Sequence, residues 1–167
     1  MKVSLAPRLL GTAAVGLAAS LWSAGPAAAA APIELPAGVA CSGFALRIET
    51  TGGHRVDRTF NDNNNKPVRT ISAGTGGQVT FTNLSTGATL TLKSNGAVTQ
   101  TTTQDVNDYL VVSTGHLVLV LFPTDVPAGP TTTLYVGRVV YRSDASNNFT
   151  LLGTTGKATD ICALLSS

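Results

Sequence analysis

The sequence predicts an all-β domain, either an antiparallel β-sandwich or an up-and-down β-barrel of about 8–10 short strands, stapled by one disulfide near its ends. Three observations carry this. Apolar and polar residues alternate with a period of two in segments from Phe44 to Leu152, the mark of half-buried strands. Turn residues separate those segments at short intervals, and helical periodicity is scarce. Only two cysteines are present, Cys41 and Cys162, far apart in the chain.

Residues 1–30 are expected to be a signal peptide that is removed, leaving residues 31–167 as one β domain. Lys2 and Arg8 form a positive start, an apolar run follows from Leu9 to Trp22, and Ser23 to Ala30 are small residues broken by Pro26. That is the three-part layout of an export signal, with Ala28 and Ala30 at the −3 and −1 positions of the cut. The apolar run is shorter than the ~20 residues that span a bilayer. Cys41 lies well past Ala31, so no lipid-bearing cysteine follows the cut. A secreted protein is expected, extracellular or associated with the cell wall, with no membrane attachment after cleavage.

Cleavage also resets the charge. Of the 11 basic residues, Lys2 and Arg8 leave with the signal, so 9 remain against 9 acidic ones. A neutral domain offers no electrostatic footprint for nucleic acid or an anionic membrane.

The mature chain reads as strands almost throughout. Phe44 to Thr50 alternates Phe44, Leu46 and Ile48 with Ala45, Arg47 and Glu49. Gln78 to Asn83 and Ala88 to Lys93 repeat the pattern, and the turn at Leu84–Gly87 makes them a hairpin. Asn95-Gly96 is expected to form a second hairpin turn. Val98 to Gln104 is nearly all threonine and glutamine and reads as an exposed or edge strand. Tyr109 to Ser113 follows. The continuous apolar run Leu117 to Phe122 is expected to be a central strand covered on both faces. Three prolines between Pro123 and Pro130 keep that segment out of any central strand. Thr133 to Arg142 and Asn147 to Leu152 pair across a turn at Ser143–Ser146, and Asp160 to Leu165 is the one helical candidate, or equally the last strand. In an exported chain an isolated cysteine pair most simply forms a disulfide. If the first and last strands adjoin, that bond would close their seam.

Val68-Arg69-Thr70-Ile71-Ser72-Ala73-Gly74, Thr114-Gly115-His116 leading into Leu121-Phe122-Pro123-Thr124-Asp125-Val126-Pro127-Ala128-Gly129-Pro130, and the ending Gly156-Lys157 to Asp160-Ile161-Cys162 resemble a group of small secreted proteins of actinobacteria. The likeness extends over most of the mature chain, and the Phe122–Pro130 block is its most specific part. The resemblance implies export and a Cys41–Cys162 bond, and it implies no chemistry.

Candidate sites are few. Hydrolytic chemistry needs a nucleophile, a histidine base and a carboxylate orienter. His116 and Asp125 are the candidates, without a G-x-S-x-G nucleophile turn. Asn61 to Asn65 is rich in side-chain oxygen, so Asp62 is the metal candidate, weighed against a plain turn. Asp105 and Asp108 around Asn107 make a similar case. His54, Arg55, Asp57, Arg58 and Arg69 could form an anion-binding patch or a solvated strand with cross-strand charge pairs. Thr99, Thr101, Thr102 and Thr103 suggest a flat face for sugar or ice, or a wetted edge. Pro123, Pro127 and Pro130 hold Asp125 in a loop that is stiff before any binding, or that guards a sheet edge or stiffens a long connection.

The function expected is that of a non-catalytic binding, structural or surface-interaction protein. The alternatives are a secreted hydrolase using His116 and Asp125, or a small apolar-ligand carrier if the strands close into a barrel. No cofactor is expected, the partner is unknown, and a monomer is expected.

Overall fold

The computed structural model describes residues 31–102 and 108–167 of the chain; the expected signal peptide lies outside them. Among the described residues ten strands form two wholly antiparallel sheets. The four-stranded sheet has the order β1 (Ile33–Leu35), β2 (Leu46–Thr51), β5 (Gln78–Asn83), β6 (Thr89–Lys93). The six-stranded sheet runs β10 (Phe149–Asp160), β9 (Thr131–Ser143), β8 (Tyr109–Leu121), β7 (Gly96–Thr102), β4 (Pro67–Thr75), β3 (His54–Asn61). Helix α1 (Ile161–Leu165) follows β10 directly, with Asp160 as its N-cap. Neither sheet closes on itself, so the fold is the sandwich, and the barrel alternative falls.

The six-stranded sheet bends along a row of glycines. Gly96 stands opposite Gly115, Gly115 opposite Gly137, and Gly137 opposite Gly156. In β8 and β9, each 13 residues long, this glycine is the central residue. Gly115, Gly137 and Gly156 have φ of +102°, +147° and +90°, values that L side chains rarely adopt. A Cβ on Gly137 would lie 2.1 Å from the Thr155 carbonyl oxygen, and one on Gly115 2.5 Å from that of Asn95. A flat β8 would separate its two ends by about 40 Å. Yet Asp125, four residues past the end of β8, binds the amide of Phe149, which is aligned through Ser143 with Tyr109 at the other end. Four residues reach about 14 Å at most. The sheet must therefore fold back across the glycine row.

Folding back gives the apolar run of β8 two covered faces. Leu117, Leu119 and Leu121 join Val111, Val139, Tyr141 and Phe149 in one cluster, inside the fold of the sheet. Tyr141 and Phe149 meet there with ring centroids 5.0 Å apart. Val118 and Val120 point the other way, into a second cluster with Leu46, Ile48, Val79 and Phe81 of the four-stranded sheet. The expectation of a strand buried on both sides is met, because all five residues Leu117–Leu121 are buried.

Three buried joints hold the layers together. Cys41, in the loop before β2, is bonded to Cys162 in α1, their Cα atoms 5.6 Å apart. The Thr132 hydroxyl of β9 donates to the Ala40 carbonyl at 2.9 Å. Asn83 of β5 donates to the Leu165 carbonyl at 3.0 Å and accepts the Ser85 amide at 2.8 Å, tying α1 to the β5–β6 turn.

Several local expectations change. The disulfide joins no terminal strand pair, since β1 pairs with β2 and β10 with β9; it links the two layers. Asn95-Gly96 makes no hairpin, because β6 and β7 belong to different sheets and the turn is a corner between them. β7 is no edge strand: it lies between β4 and β8, its threonines packed at half-burial. Tyr109–Ser113 and Leu117–Phe122 are one strand, since Gly115 continues the ladder through its bend.

Removing the disulfide by a Cys41→Ser/Cys162→Ser double substitution should cost about 4–5 kcal/mol, since the bond spans 121 residues. The urea midpoint should fall accordingly, and an unchanged midpoint would refute a stapling role. Gly115→Ala or Gly137→Ala should each cost at least about 2 kcal/mol through φ strain and backbone collision. Gly153→Ala, which meets nothing within 4 Å, should stay within about 0.5 kcal/mol. Thermal melts of the three variants check the contrast.

Candidate functional site

Asp125 is buried and its carboxylate is committed to the backbone. One oxygen accepts the Phe122 amide at 2.6 Å and the other the Phe149 amide at 2.7 Å. Val126 next to it forms an isolated parallel bridge with Thr150, its amide donating to the Phe149 carbonyl. The Pro123–Pro130 segment is thus the β8–β9 hairpin loop, laid back against the start of β10. Pro123 and Pro127 are exposed and Pro130 is half-buried. His116 is half-buried on β8, its backbone amide donating to the Asn95 carbonyl. His116 is not among the hydrogen-bond partners of Asp125. The geometry of a base oriented by a carboxylate is therefore not assembled from these two residues.

The other carboxylate candidates are also held by local structure. One oxygen of Asp62 accepts the amides of Asn64 and Lys66 at 2.8 and 2.9 Å, and Asn65 takes the left-handed φ of +62°. These bonds hold the Asp62 carboxyl below the ordinary carboxylate range, the Lys66 amide contributing most. The segment is a capped turn closing the β3–β4 hairpin. Asp108 is buried and binds the Arg142 guanidinium through both oxygens. Asp105, Asn107 and Thr103 lie outside the described residues. Thr99 and Thr101 stand opposite Ile71 and Arg69 on one side and Val112 and Leu110 on the other, within one sheet face.

The site that the fold does assemble is the β3–β4 ribbon. Its strands pair from His54–Thr75 to Asn61–Pro67, yet no residue of either belongs to the two buried clusters. β3 is exposed along nearly its whole length on both faces. One face carries Arg55 and Asp57, with the guanidinium Nε donating to the carboxylate at 2.5 Å. That bond, more than any other cause, holds the Asp57 carboxyl below its usual range. The opposite face carries His54, Val56, Arg58 and Phe60, with Arg69 opposite Phe60. The Arg58 guanidinium sits 5.3 Å above the Phe60 ring, within cation–π range. Val56 is 58 % exposed. Alternation in the sequence placed these side chains on their correct faces; it gave no sign that the strand stands clear of the core.

A disulfide-stapled, all-β sandwich with an exposed hairpin at one edge of its six-stranded sheet is the class of protein that fold and site define. No protein-family model matches the chain, and no curated protein or solved structure is significantly similar to it. No helix among the described residues is long and apolar enough to cross a membrane.

Asp125→Ala should lower stability by about 2–4 kcal/mol, because it leaves the Phe122 and Phe149 amides without their charged acceptor. Urea denaturation monitored by circular dichroism checks this. A loss below about 0.5 kcal/mol would show that the carboxylate does not clamp the loop.

Proposed function

We propose that the chain is a secreted, non-catalytic β domain that works at the cell surface or in the medium as an interaction protein, with the β3–β4 ribbon as its contact surface. The observation that carries this reading is the exposure of Val56, Phe60 and Val68 on a ribbon that contributes to neither buried cluster. Single exposed apolar residues are common on protein surfaces. Three on one exposed edge hairpin, flanked by Arg58 and Arg69, make a surface suited to contact.

Export is supported by the three-part layout of residues 1–30 and by the disulfide, a bond that persists in oxidising compartments. The hydrolase alternative is disfavoured by the engagement of both Asp125 oxygens with backbone amides. The carrier alternative depended on a closed barrel, and both faces of the β8 apolar run are already filled by side chains.

The mature domain is expected to sediment with cell envelopes of the secreting organism. A Val56→Asp/Phe60→Asp variant should be retained about tenfold less, the effect of losing central contact residues. The same preparation, tested on ester, peptide and glycoside substrates, should show no turnover that His116→Ala abolishes. His116-dependent turnover, or retention indifferent to the ribbon variant, would overturn the proposal.

A further inference from the structure

The outer edge of the ribbon is open, and the geometry points to a second copy of this chain as its partner: β3 pairs antiparallel with β3 of the other copy about a two-fold axis at Val56, joining two six-stranded sheets into one. This rests on the reading of the ribbon as a contact surface and names what it contacts.

The four sheet edges are not equally protected. β1 is only three residues long. β6 is five residues, ends in Lys93 and touches α1. β10 has a register shift between Leu151 and Gly153, further glycine at Gly156, and Lys157. Short length, bulges, proline and charged side chains, lysine above all, are the usual blocks to edge-to-edge pairing. Between His54 and Phe60 β3 is neither short nor bulged and contains neither proline nor lysine, its one register shift falling beyond, at Phe60–Asn61; its charges, Arg55, Asp57 and Arg58, are of both signs, so they block an unmatched partner and admit a complementary one. Among the described residues it pairs with β4 alone.

Charge selects the occupant and the register. An antiparallel two-fold pair that continues the sheet places each residue opposite its mirror about the central position. Axes at Arg55, Asp57 or Arg58 would set like charges directly against each other, which is unfavourable. An axis at Val56 sets Arg55 of each copy against Asp57 of the other, giving two reciprocal opposite-charge pairs on one face. On the other face it sets the exposed Val56 against its own copy, covering both, and His54 of each copy against Arg58 of the other, so the charge gain comes from the Arg55–Asp57 face. Arg55 and Asp57 already share a bond within one strand, so the ladder enlarges an existing charge pair into a four-charge row.

The test uses the disulfide-bonded mature protein and sedimentation equilibrium over a concentration series. Wild type should dimerise reversibly. Arg55→Asp alone and Asp57→Arg alone each turn both reciprocal pairs into repulsive ones and should weaken the dimer about tenfold or more. The double variant Arg55→Asp/Asp57→Arg restores opposite charges and should recover most of the affinity. Circular dichroism and melting temperature report whether each variant folds. Val56→Cys gives an independent readout, because facing residues about 4.5–5.5 Å apart fall within disulfide range, and it should cross-link on oxidation. Thr59→Cys, about 20 Å from its own copy in this register, should not. A monomeric wild type (the oligomeric state expected from the sequence), a dimer indifferent to the charge swaps, or cross-linking through Thr59→Cys but not Val56→Cys would each overturn the pairing. Envelope retention that persists in a monomer would leave the contact reading standing while removing self-pairing.

Discussion

Two 13-residue strands at the centre of one sheet would hold its ends far apart, and the chain past β8 reaches back to the start of β10 only because both strands turn at their middle residue. The aligned glycines at 96, 115, 137 and 156 make that turn possible. Any side chain there would come within 2.1–2.5 Å of a neighbouring backbone oxygen, so the bend tolerates no other residue without moving the ladder. What the bend achieves is a second covered face. Aromatic residues are only 5 % of the chain, and large aromatic side chains usually dominate core burial. Here Leu and Val of one strand segment are used on both sides, facing the folded-over half of their own sheet and the separate four-stranded sheet. A single unbent sheet would have left one of those faces in water.

Three of the buried polar side chains bridge elements that packing alone would leave free to slide. Asp125 ties the β8–β9 loop to β10, Thr132 ties β9 to the loop carrying Cys41, and Asn83 ties β5 to the end of α1. Each is satisfied by backbone groups, as buried polar atoms must be to avoid a desolvation cost. The disulfide lies in the same region, one residue from the carbonyl that Thr132 binds. The joints between layers are therefore directional bonds, while the apolar clusters supply the undirected part of the stability.

Much of this was legible in the sequence, and the failures have a common cause. Alternation located β2, β5 and β6 because each has a wetter and a drier face, and the unbroken run Leu117–Phe122 announced a strand covered twice. Gly115 divides the Tyr109–Ser113 and Leu117–Phe122 segments when only neighbours in sequence are considered, because glycine punctuates strands. Its alignment with Gly137 and Gly156 is visible only once the pairing register is known. Asn95-Gly96 misled in the same way, since a turn signal specifies local backbone and not which sheet the next strand joins. Asp125 stood out as a charged residue in a stiff loop, which is equally the signature of a buried clamp. Thr132 and Asn83 carried no signal at all, because their partners are backbone carbonyls distant in sequence.

The ribbon is where the economy of the core ends. Ordering a residue's backbone costs about 1–2 kcal/mol in conformational entropy, and β3 recovers little of this through burial. Hydrogen bonds to β4 and the anchorage of β4 on β7 hold it in place, so it belongs to the locally weak end of the structure. Shortening the hairpin would remove that cost and the exposed Val56 and Phe60 together, without touching either apolar cluster. On the reading proposed above, a segment that neither apolar cluster uses has its physical justification outside the monomer: the demands of the core explain the six-stranded sheet as far as β7, and β4 and β3 beyond it would serve contact.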